Sequence, residues 1–275
     1  MKLAFAALVL LIFAICFAMF LLNREPDNGR GIAAVQTTAE TVLPGTAEST
    51  PTVTETTEVT TPPETTAVTE PPKRDTGGNP VPETDDAGPD YYQDAAFVGD
   101  SIMTGLSLNG LIDGSRVLAS KGMNIEKIST DVLSLPQGQM TAIDAIAALQ
   151  PKKVFIMLGS NGIAWLSNED MVASYGAFID NIHAKAPDAT ICILSIPPVA
   201  VKNNYKIKNE SIPAYNQALL NLADDKGVRL IDFHSAMTGS DGYLATEYAA
   251  KDGMHFQRAA YEKMLSYLRT HAPGA

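Results

Sequence analysis

Three residues of this chain have the types and the sequence settings that nucleophilic catalysis requires. Ser101 follows a short apolar run and a Gly-Asp pair, so a strand would deliver its hydroxyl to the carboxyl edge of a sheet. Asp252 and His255 are three positions apart, directly before a predicted helix. In a tight turn this spacing lets the carboxylate accept the Nδ1–H of the imidazole and leaves Nε2 as a general base. Because each motif also occurs by chance, the three residues are at this point a candidate catalytic triad.

Two further positions could stabilise the negative charge that forms on an attacked carbonyl. Asn161 follows an almost continuously apolar strand candidate, and its amide could donate a hydrogen bond to an oxyanion. Gly122 follows another strand candidate, and its backbone N–H could do the same. Taken singly, Asn161 is better explained as a turn or helix-capping residue, and Gly122 is equally consistent with a plain turn glycine.

Other residues compete for roles in such a site. His234, two residues after Asp232, could serve as an alternative base, although strand alternation would put both side chains on one face. We interpret His183, within a helix, and His271, near the chain end, as surface residues. Trp165 either lines a substrate pocket or has a packing role within the fold. The same two interpretations apply to the methionines near the proposed site, Met103, Met123 and Met254.

Metal and cofactor chemistry have no support in the sequence. The four histidines are scattered, and of the two cysteines only Cys192 lies outside an N-terminal apolar run, so no metal-ligand spacing occurs. Neither a P-loop nor a dinucleotide-binding fingerprint is present. We therefore expect no metal and no cofactor.

The elements that must position these residues alternate between strand and helix from residue 91 onward. Five runs are predicted as strands: Ala95 to Val98, Arg116 to Ala119, Lys153 to Leu158, Thr190 to Ile196 and Val228 to Phe233. Apolar periodicity and capping residues predict helices over Thr141 to Leu149, Asn168 to Ala186, Ile212 to Lys226 and Arg258 to His271. This alternation predicts an α/β domain with a mainly parallel sheet. In such sheets functional groups gather beyond the carboxyl ends of the strands.

The order of the motifs resembles the four sequence blocks of the SGNH/GDSL hydrolase family. Gly-Asp-Ser after the first strand, a glycine after the second, Gly-x-Asn after the third and Asp-x-x-His before the last helix cover roughly residues 95–268. The resemblance implies a three-layer α/β/α, flavodoxin-like fold with a five-stranded sheet. It also implies a serine esterase in which Ser101 is the nucleophile, His255 the base and Asp252 the residue that orients it. The oxyanion hole would combine the backbone N–H groups of Ser101 and Gly122 with the Asn161 side chain.

Two departures from the family pattern are visible. Many members have Gly-x-Asn-Asp in the third block, where this chain has Gly162. The second block is reduced to Gly122 within Lys-Gly-Met-Asn.

The first 90 residues differ in composition from the rest. Leu3 to Leu22 is an unbroken apolar run that is long enough to cross a bilayer, so we predict a membrane anchor over 1–22, with a signal sequence as the alternative. Residues 23–90 are rich in Thr, Pro and Glu and are predicted to be a disordered linker, followed by a hydrolase-like domain over 91–275. The linker holds 13 acidic and four basic residues, so most of the net charge of -11 lies there. The folded part offers no basic surface for nucleic acid.

These features together predict an extracytoplasmic, single-pass membrane protein. As a flexible coil the linker would span roughly 45 Å, which allows the domain to sample a wall or polysaccharide layer. The predicted activity is hydrolysis of acyl esters, above all O-acetyl esters, on cell-envelope glycans. Two alternatives stay open: an O-acyltransferase acting on such glycans, and a surface binding module that has lost catalysis.

Overall fold

The computed structural model describes residues 77–274, and these residues contain one central parallel sheet. The strands of this part of the chain are β1 (Ala95–Gly99), β2 (Val117–Ala119), β3 (Val132–Leu135), β4 (Gly138–Thr141), β5 (Lys153–Met157), β6 (Thr190–Leu194) and β7 (Arg229–Ile231). Five of them form the sheet in the order β2-β1-β5-β6-β7, and every neighbouring pair is parallel. The predicted five-stranded parallel sheet is thus confirmed.

The strands β3 and β4 form an antiparallel hairpin that the sequence did not predict. Its residues are mostly exposed or half-buried, so they lack the apolar run that identifies a buried strand.

Six α-helices accompany the sheet in the described chain. They are α1 (Ser101–Leu108), α2 (Ala142–Leu149), α3 (Asn168–Lys185), α4 (Ile212–Lys226), α5 (Phe233–Met237) and α6 (Arg258–Arg269). Parallel crossovers are right-handed, and the chain moves across the sheet in one direction through α1 and in the other through α2, α3 and α4. The first helix therefore covers one face of the sheet, and the other three cover the opposite face.

The direction of winding reverses between β1 and β5, which are neighbours in the sheet. A crevice forms at the carboxyl ends of the strands at such a switch point, and open α/β sheets bind their ligands there. Ser101 follows β1 and Asn161 follows β5, so the topology brings these two predicted site residues to the same crevice. Beneath them β1 is fully buried and β5 is buried except at its first residue, with the rings of Phe97 and Phe155 stacked 5.1 Å apart.

The folded part begins earlier than the boundary we predicted at residue 91. Residues 77–90 lie along the domain: Val81 is buried, and its N–H donates to the Leu230 carbonyl at 2.7 Å. The Arg229 guanidinium, itself almost buried, donates to the carbonyls of Gly77 and Gly78. Polar, Pro-rich composition favoured a linker here, but it cannot reveal backbone hydrogen bonds to residues 150 positions away.

The Asn79 side chain makes three hydrogen bonds to the rest of the domain, and we expect its replacement by alanine to destabilise the protein. Its side chain donates to the Val228 carbonyl at 3.0 Å and to Asp224 at 2.9 Å, and it accepts from the Leu230 N–H at 2.8 Å. Loss of these bonds should lower the free energy of unfolding in urea by about 1–3 kcal/mol. The exposed neighbour Glu83 offers a control, since Glu83→Ala should change stability little. Equal stability of Asn79→Ala and wild type would mean that residues 77–90 do not belong to the cooperative unit.

The predicted membrane anchor and most of the predicted linker lie outside the described residues. Within residues 77–274, none of the helices combines the length and the apolar character that a membrane span requires.

Candidate active site

Ser101 lies at the start of α1, directly after β1. The preceding residue, Asp100, caps this helix by accepting the Ile102 N–H at 2.9 Å, which fixes the turn that carries the serine. A Cβ atom at Gly99 would lie 2.9 Å from the Met157 carbonyl oxygen and 2.6 Å from Cβ of Met103. Only glycine therefore fits the close approach of strand and helix at this turn.

Ser101, His255 and Asp252 form a continuous hydrogen-bonded relay. The Oγ of Ser101 is 2.8 Å from Nε2 of His255, and Nδ1 of the same ring is 2.6 Å from Oδ2 of Asp252. With the Asp252 carboxylate at Nδ1, that nitrogen carries the proton and Nε2 is left to accept the serine O–H. The structure thus brings together the three residues predicted as a triad, in the geometry that proton transfer from the serine needs.

The Asp252 carboxylate is held in its charged form by hydrogen bonds. Its other oxygen accepts the backbone N–H groups of Met254 at 3.1 Å and His255 at 2.9 Å. Partial burial raises the pKa of Asp252, but the bonds from the His255 side chain and from these two amides outweigh it and lower the pKa to about 2. Asp252 therefore stays negative over the whole range in which an esterase would work.

A loop after β6, residues 200–208, braces the Asp252 turn from outside. The Ala200 N–H donates to the Gly253 carbonyl at 2.8 Å, and the Asn204 N–H donates to the Asp252 carbonyl at 2.9 Å. Gly253 has a φ of +78°, and a Cβ atom there would collide with the Lys202 carbonyl oxygen. The glycine in Asp-Gly-Met-His is thus required by this contact.

The loop also contributes Tyr205, a site residue that we missed in the sequence. Its hydroxyl lies 3.4 Å from both Oδ2 of Asp252 and Nδ1 of His255, and its ring meets the imidazole edge to face at 5.5 Å. Partial desolvation, the charge of Asp252 and the hydrogen bond to it all raise the pKa of Tyr205, so the phenol stays protonated and donates. No motif marks this tyrosine, because only the folded loop carries it to the triad.

Of the two predicted oxyanion residues, Asn161 is hydrogen-bonded to the residue that follows Gly122 and to the residue that precedes Ser101. The Asn161 amide donates to the Met123 carbonyl at 2.8 Å and lies 3.4 Å from Oδ2 of Asp100. Gly122, with a φ of +79°, is in the turn just before Met123. Both N–H groups of the Asn161 amide therefore have acceptors within the protein, and an oxyanion would have to replace the longer contact to Asp100.

The helix α4 fixes the strand ends that carry this arrangement. The Tyr215 hydroxyl donates to the Leu158 carbonyl at 3.1 Å, and its ring fills the space that a Cβ atom at Gly159 would need. The Asn216 amide bridges the N–H and carbonyl of Ile196 at 2.9 and 3.0 Å. Tyr215 and Asn216 thus hold the ends of two neighbouring strands in place from one helix.

Asp100 is a buried carboxyl directly beside the nucleophile, only 1% exposed. Desolvation raises its pKa to about 6, opposed by the Ile102 N–H bond and by the charge of His255. Between pH 3.8 and about 6 the folded protein therefore binds more protons at this site than the unfolded chain. The contribution of Asp100 to stability is largest below pH 3.8 and is lost as the pH rises through 6.

We expect Asp100→Asn to remove this part of the pH dependence. Because asparagine does not titrate, the stability of the variant relative to wild type should rise between pH 4 and pH 7 by on the order of 2–3 kcal/mol in urea unfolding. The matched control is Asp113→Asn, since bonds from Ser115 lower the pKa of Asp113 and place its titration below this window. A difference between Asp100→Asn and wild type that is constant across this range would contradict the assignment.

The competing candidates occupy other places. His234 lies in α5 rather than on an extended strand, because Asp232 caps that helix, and its Nδ1 bonds to the Ile196 carbonyl at 3.1 Å instead of facing Ser101. The three methionines, Met103, Met123 and Met254, are buried and belong to the core. In the described part of the chain no group of His, Cys, Asp or Glu has the arrangement of a metal site.

An α/β sheet with a serine, histidine and aspartate at its switch point defines this protein as a serine ester hydrolase. The chain belongs to the GDSL-like lipase/acylhydrolase family, whose family model matches residues 97–263.

Two solved structures are similar to this chain in fold. A protein from Streptococcus pneumonia, provisionally described as a platelet activating factor, is 24% identical, with a TM-score of 0.53, and the match covers 64% of this chain and 82% of the other. A variant of an acetyl-xylooligosaccharide esterase from Geobacillus stearothermophilus is 14% identical, with a TM-score of 0.51 and coverage of 65% and 93%. No curated protein matches this chain.

Proposed function

We propose that this protein is an extracytoplasmic esterase that removes acyl groups, chiefly O-acetyl groups, from cell-envelope glycans through an acyl-enzyme on Ser101. The observation that carries the catalytic part is the relay from Ser101 Oγ through both nitrogens of His255 to Asp252, at 2.8 and 2.6 Å.

The first half-reaction transfers the acyl group to the enzyme. His255 Nε2 accepts the Ser101 proton while Oγ forms a bond to the ester carbon. The negative oxygen is stabilised by the backbone N–H groups of Ser101 and Gly122 and by the Asn161 amide. The bond between the acyl carbon and the sugar oxygen then breaks. His255 donates its proton to the departing oxygen, so the sugar leaves with a free hydroxyl group.

The second half-reaction restores the enzyme. His255 deprotonates a water molecule, which attacks the acyl-serine, and the acid leaves while Ser101 regains its proton. No metal or cofactor is required by any of these steps.

The open character of the site supports a substrate carried on a polymer. The side chains of His255 and Asp252 are 26% and 27% exposed, so an ester on a bulky glycan can reach the triad. The proposed extracytoplasmic location is supported by the apolar run of residues 3–22, which lies outside the described residues. The fold alone links this chain to an acetyl-xylooligosaccharide esterase, which indicates only that such a sheet can carry deacetylation.

Release of acetate from purified, O-acetylated cell-wall glycan by the full-length protein tests this proposal. Wild type should release acetate stoichiometrically with loss of glycan O-acetyl groups, and Ser101→Ala should release none. If acetate appears instead on an added acceptor sugar, the enzyme is an acyltransferase. If p-nitrophenyl acetate is hydrolysed and no glycan is, the glycan proposal fails and the esterase assignment stands.

A further inference from the structure

The exposed ring of Trp165 is the most unusual surface feature beside the site. This is the only tryptophan of the chain, and 62% of it is exposed although it follows a buried strand by only a few residues. A tryptophan normally buries most of its large apolar area, and leaving it in water forgoes that stabilisation. Isolated exposed apolar residues are common, but an indole next to a catalytic crevice is also placed to contact a bound substrate.

The indole is held in place and offers its faces. Its Nε1–H donates to the backbone carbonyl of Asn161 at 2.7 Å, so the ring is fixed to the residue whose amide contacts Asp100, next to Ser101 in the chain. Among the described residues no aromatic ring stacks on Trp165 and no cation lies over it. With its polar atom occupied, what the residue presents is a rigid apolar plane.

Gly162 lies in the same turn as Trp165. The amides of Trp165 and Leu166 both donate to the Gly162 carbonyl at 2.9 Å. A Cβ atom at Gly162 would lie 2.9 Å from Leu166 Cδ1 and from the sulfur of Met171, which occupy the space of an aspartate side chain. An aspartate at this position, as in the Gly-x-Asn-Asp pattern, would therefore require the Leu166 and Met171 side chains to shift.

We propose that Trp165 is a sugar-binding platform on which a pyranose ring of the substrate stacks, placing its ester over Ser101. The inference rests on the proposed function and specifies its substrate: a β-linked oligosaccharide whose rings present a flat C–H face. Such a face matches the apolar, fixed plane of an indole, while the sugar hydroxyls stay in water at the open site. Both an amino-sugar wall glycan and a neutral polysaccharide have this chemistry.

Because Trp165 is the sole tryptophan, its fluorescence reports directly on this platform. In the full-length Ser101→Ala protein, chitotetraose or xylotetraose should shift the emission to shorter wavelength and saturate, and the sugar that binds more tightly identifies the glycan source. Smaller sugar-free esters such as ethyl acetate should not shift it. No change with either tetrasaccharide at millimolar concentration would overturn the proposal.

Turnover separates a platform from a merely structural role. Trp165→Ala should lower kcat/KM for an acetylated oligosaccharide about tenfold relative to kcat/KM for p-nitrophenyl acetate, mainly through KM, and Trp165→Tyr should recover part of this ratio. If the indole only positioned Asn161, both substrates would suffer equally and the ratio would not move, which would overturn the proposal. Val132→Ala, an equally exposed apolar residue on the β3–β4 hairpin, is the matched control.

The two proposals fail in different ways. Glycan deacetylation with an unchanged ratio in Trp165→Ala rejects the platform and keeps the proposed function. Saturable fluorescence change without any glycan deacetylation supports the platform and rejects the proposed reaction.

Discussion

Replacing Ser101 with alanine is expected to lower kcat for p-nitrophenyl acetate at least about 10⁴-fold, because the attacking oxygen is lost and only the oxyanion donors remain. In the described chain the Ser101 hydroxyl has one partner, Nε2 of His255 at 2.8 Å. Its removal should therefore leave the free energy of unfolding within about 1 kcal/mol of wild type. Initial rates of p-nitrophenol release and urea unfolding measure the two effects on the same preparation.

Ser107→Ala is the matched control for this variant. Ser107 lies on the same helix, and its hydroxyl donates to the Thr104 carbonyl at 3.0 Å, away from any base. This variant should keep the wild-type rate. A fluorophosphonate should label the wild type once, at Ser101, as read by peptide mass. Labelling of a different serine, or full activity of Ser101→Ala, would remove Ser101 from the mechanism.

The second large effect concerns the base. His255→Ala is expected to reduce kcat by a factor similar to that of Ser101→Ala, because the two residues act as a unit and either loss stops proton transfer. The double variant should be no slower than either single one. This non-additivity distinguishes a relay from two independent contributions.

His234→Ala is the comparison that decides between the two candidate bases. His234 Nδ1 bonds to the Ile196 carbonyl at 3.1 Å, and the backbone N–H of His234 donates to the Ser195 hydroxyl oxygen at 2.8 Å. Its side chain thus supports a strand end, and its loss should lower stability while sparing most of the activity. Loss of activity in His234→Ala together with retention in His255→Ala would reverse the assignment.

The sequence predicted the fold well where its signals are local. Apolar runs identified β5 and β6 because a strand buried on both faces must be apolar at nearly every position. The hairpin β3–β4 and the short helix α5 were missed, since neither has a long apolar pattern. We predicted the last strand to reach Phe233, but it ends at Ile231, because the Asp232 side chain accepts the Ser235 N–H and starts a helix instead.

For the site, motif order predicted which residues to compare, and topology explains why they meet. Ser101 and His255 are 154 positions apart, and no local rule gives their distance. They meet because α1 and α6 pack together at Gly105, where the Tyr261 ring occupies the place of a side chain. Tyr205 was unpredictable for the same reason: its loop contacts the Asp252 turn only through tertiary hydrogen bonds.

What the sequence determined by itself is therefore the chemical inventory: a serine after a strand, a histidine with its aspartate in one turn, and an alternation of strands and helices. These depend on spacing within a few residues, which the backbone geometry of strands and turns fixes locally. The tertiary structure alone decided that residues 77–90 belong to the folded part, that Tyr205 contacts the triad, and that Trp165 stays exposed. Each of these depends on contacts between segments far apart in the chain, which only packing around the common sheet brings together.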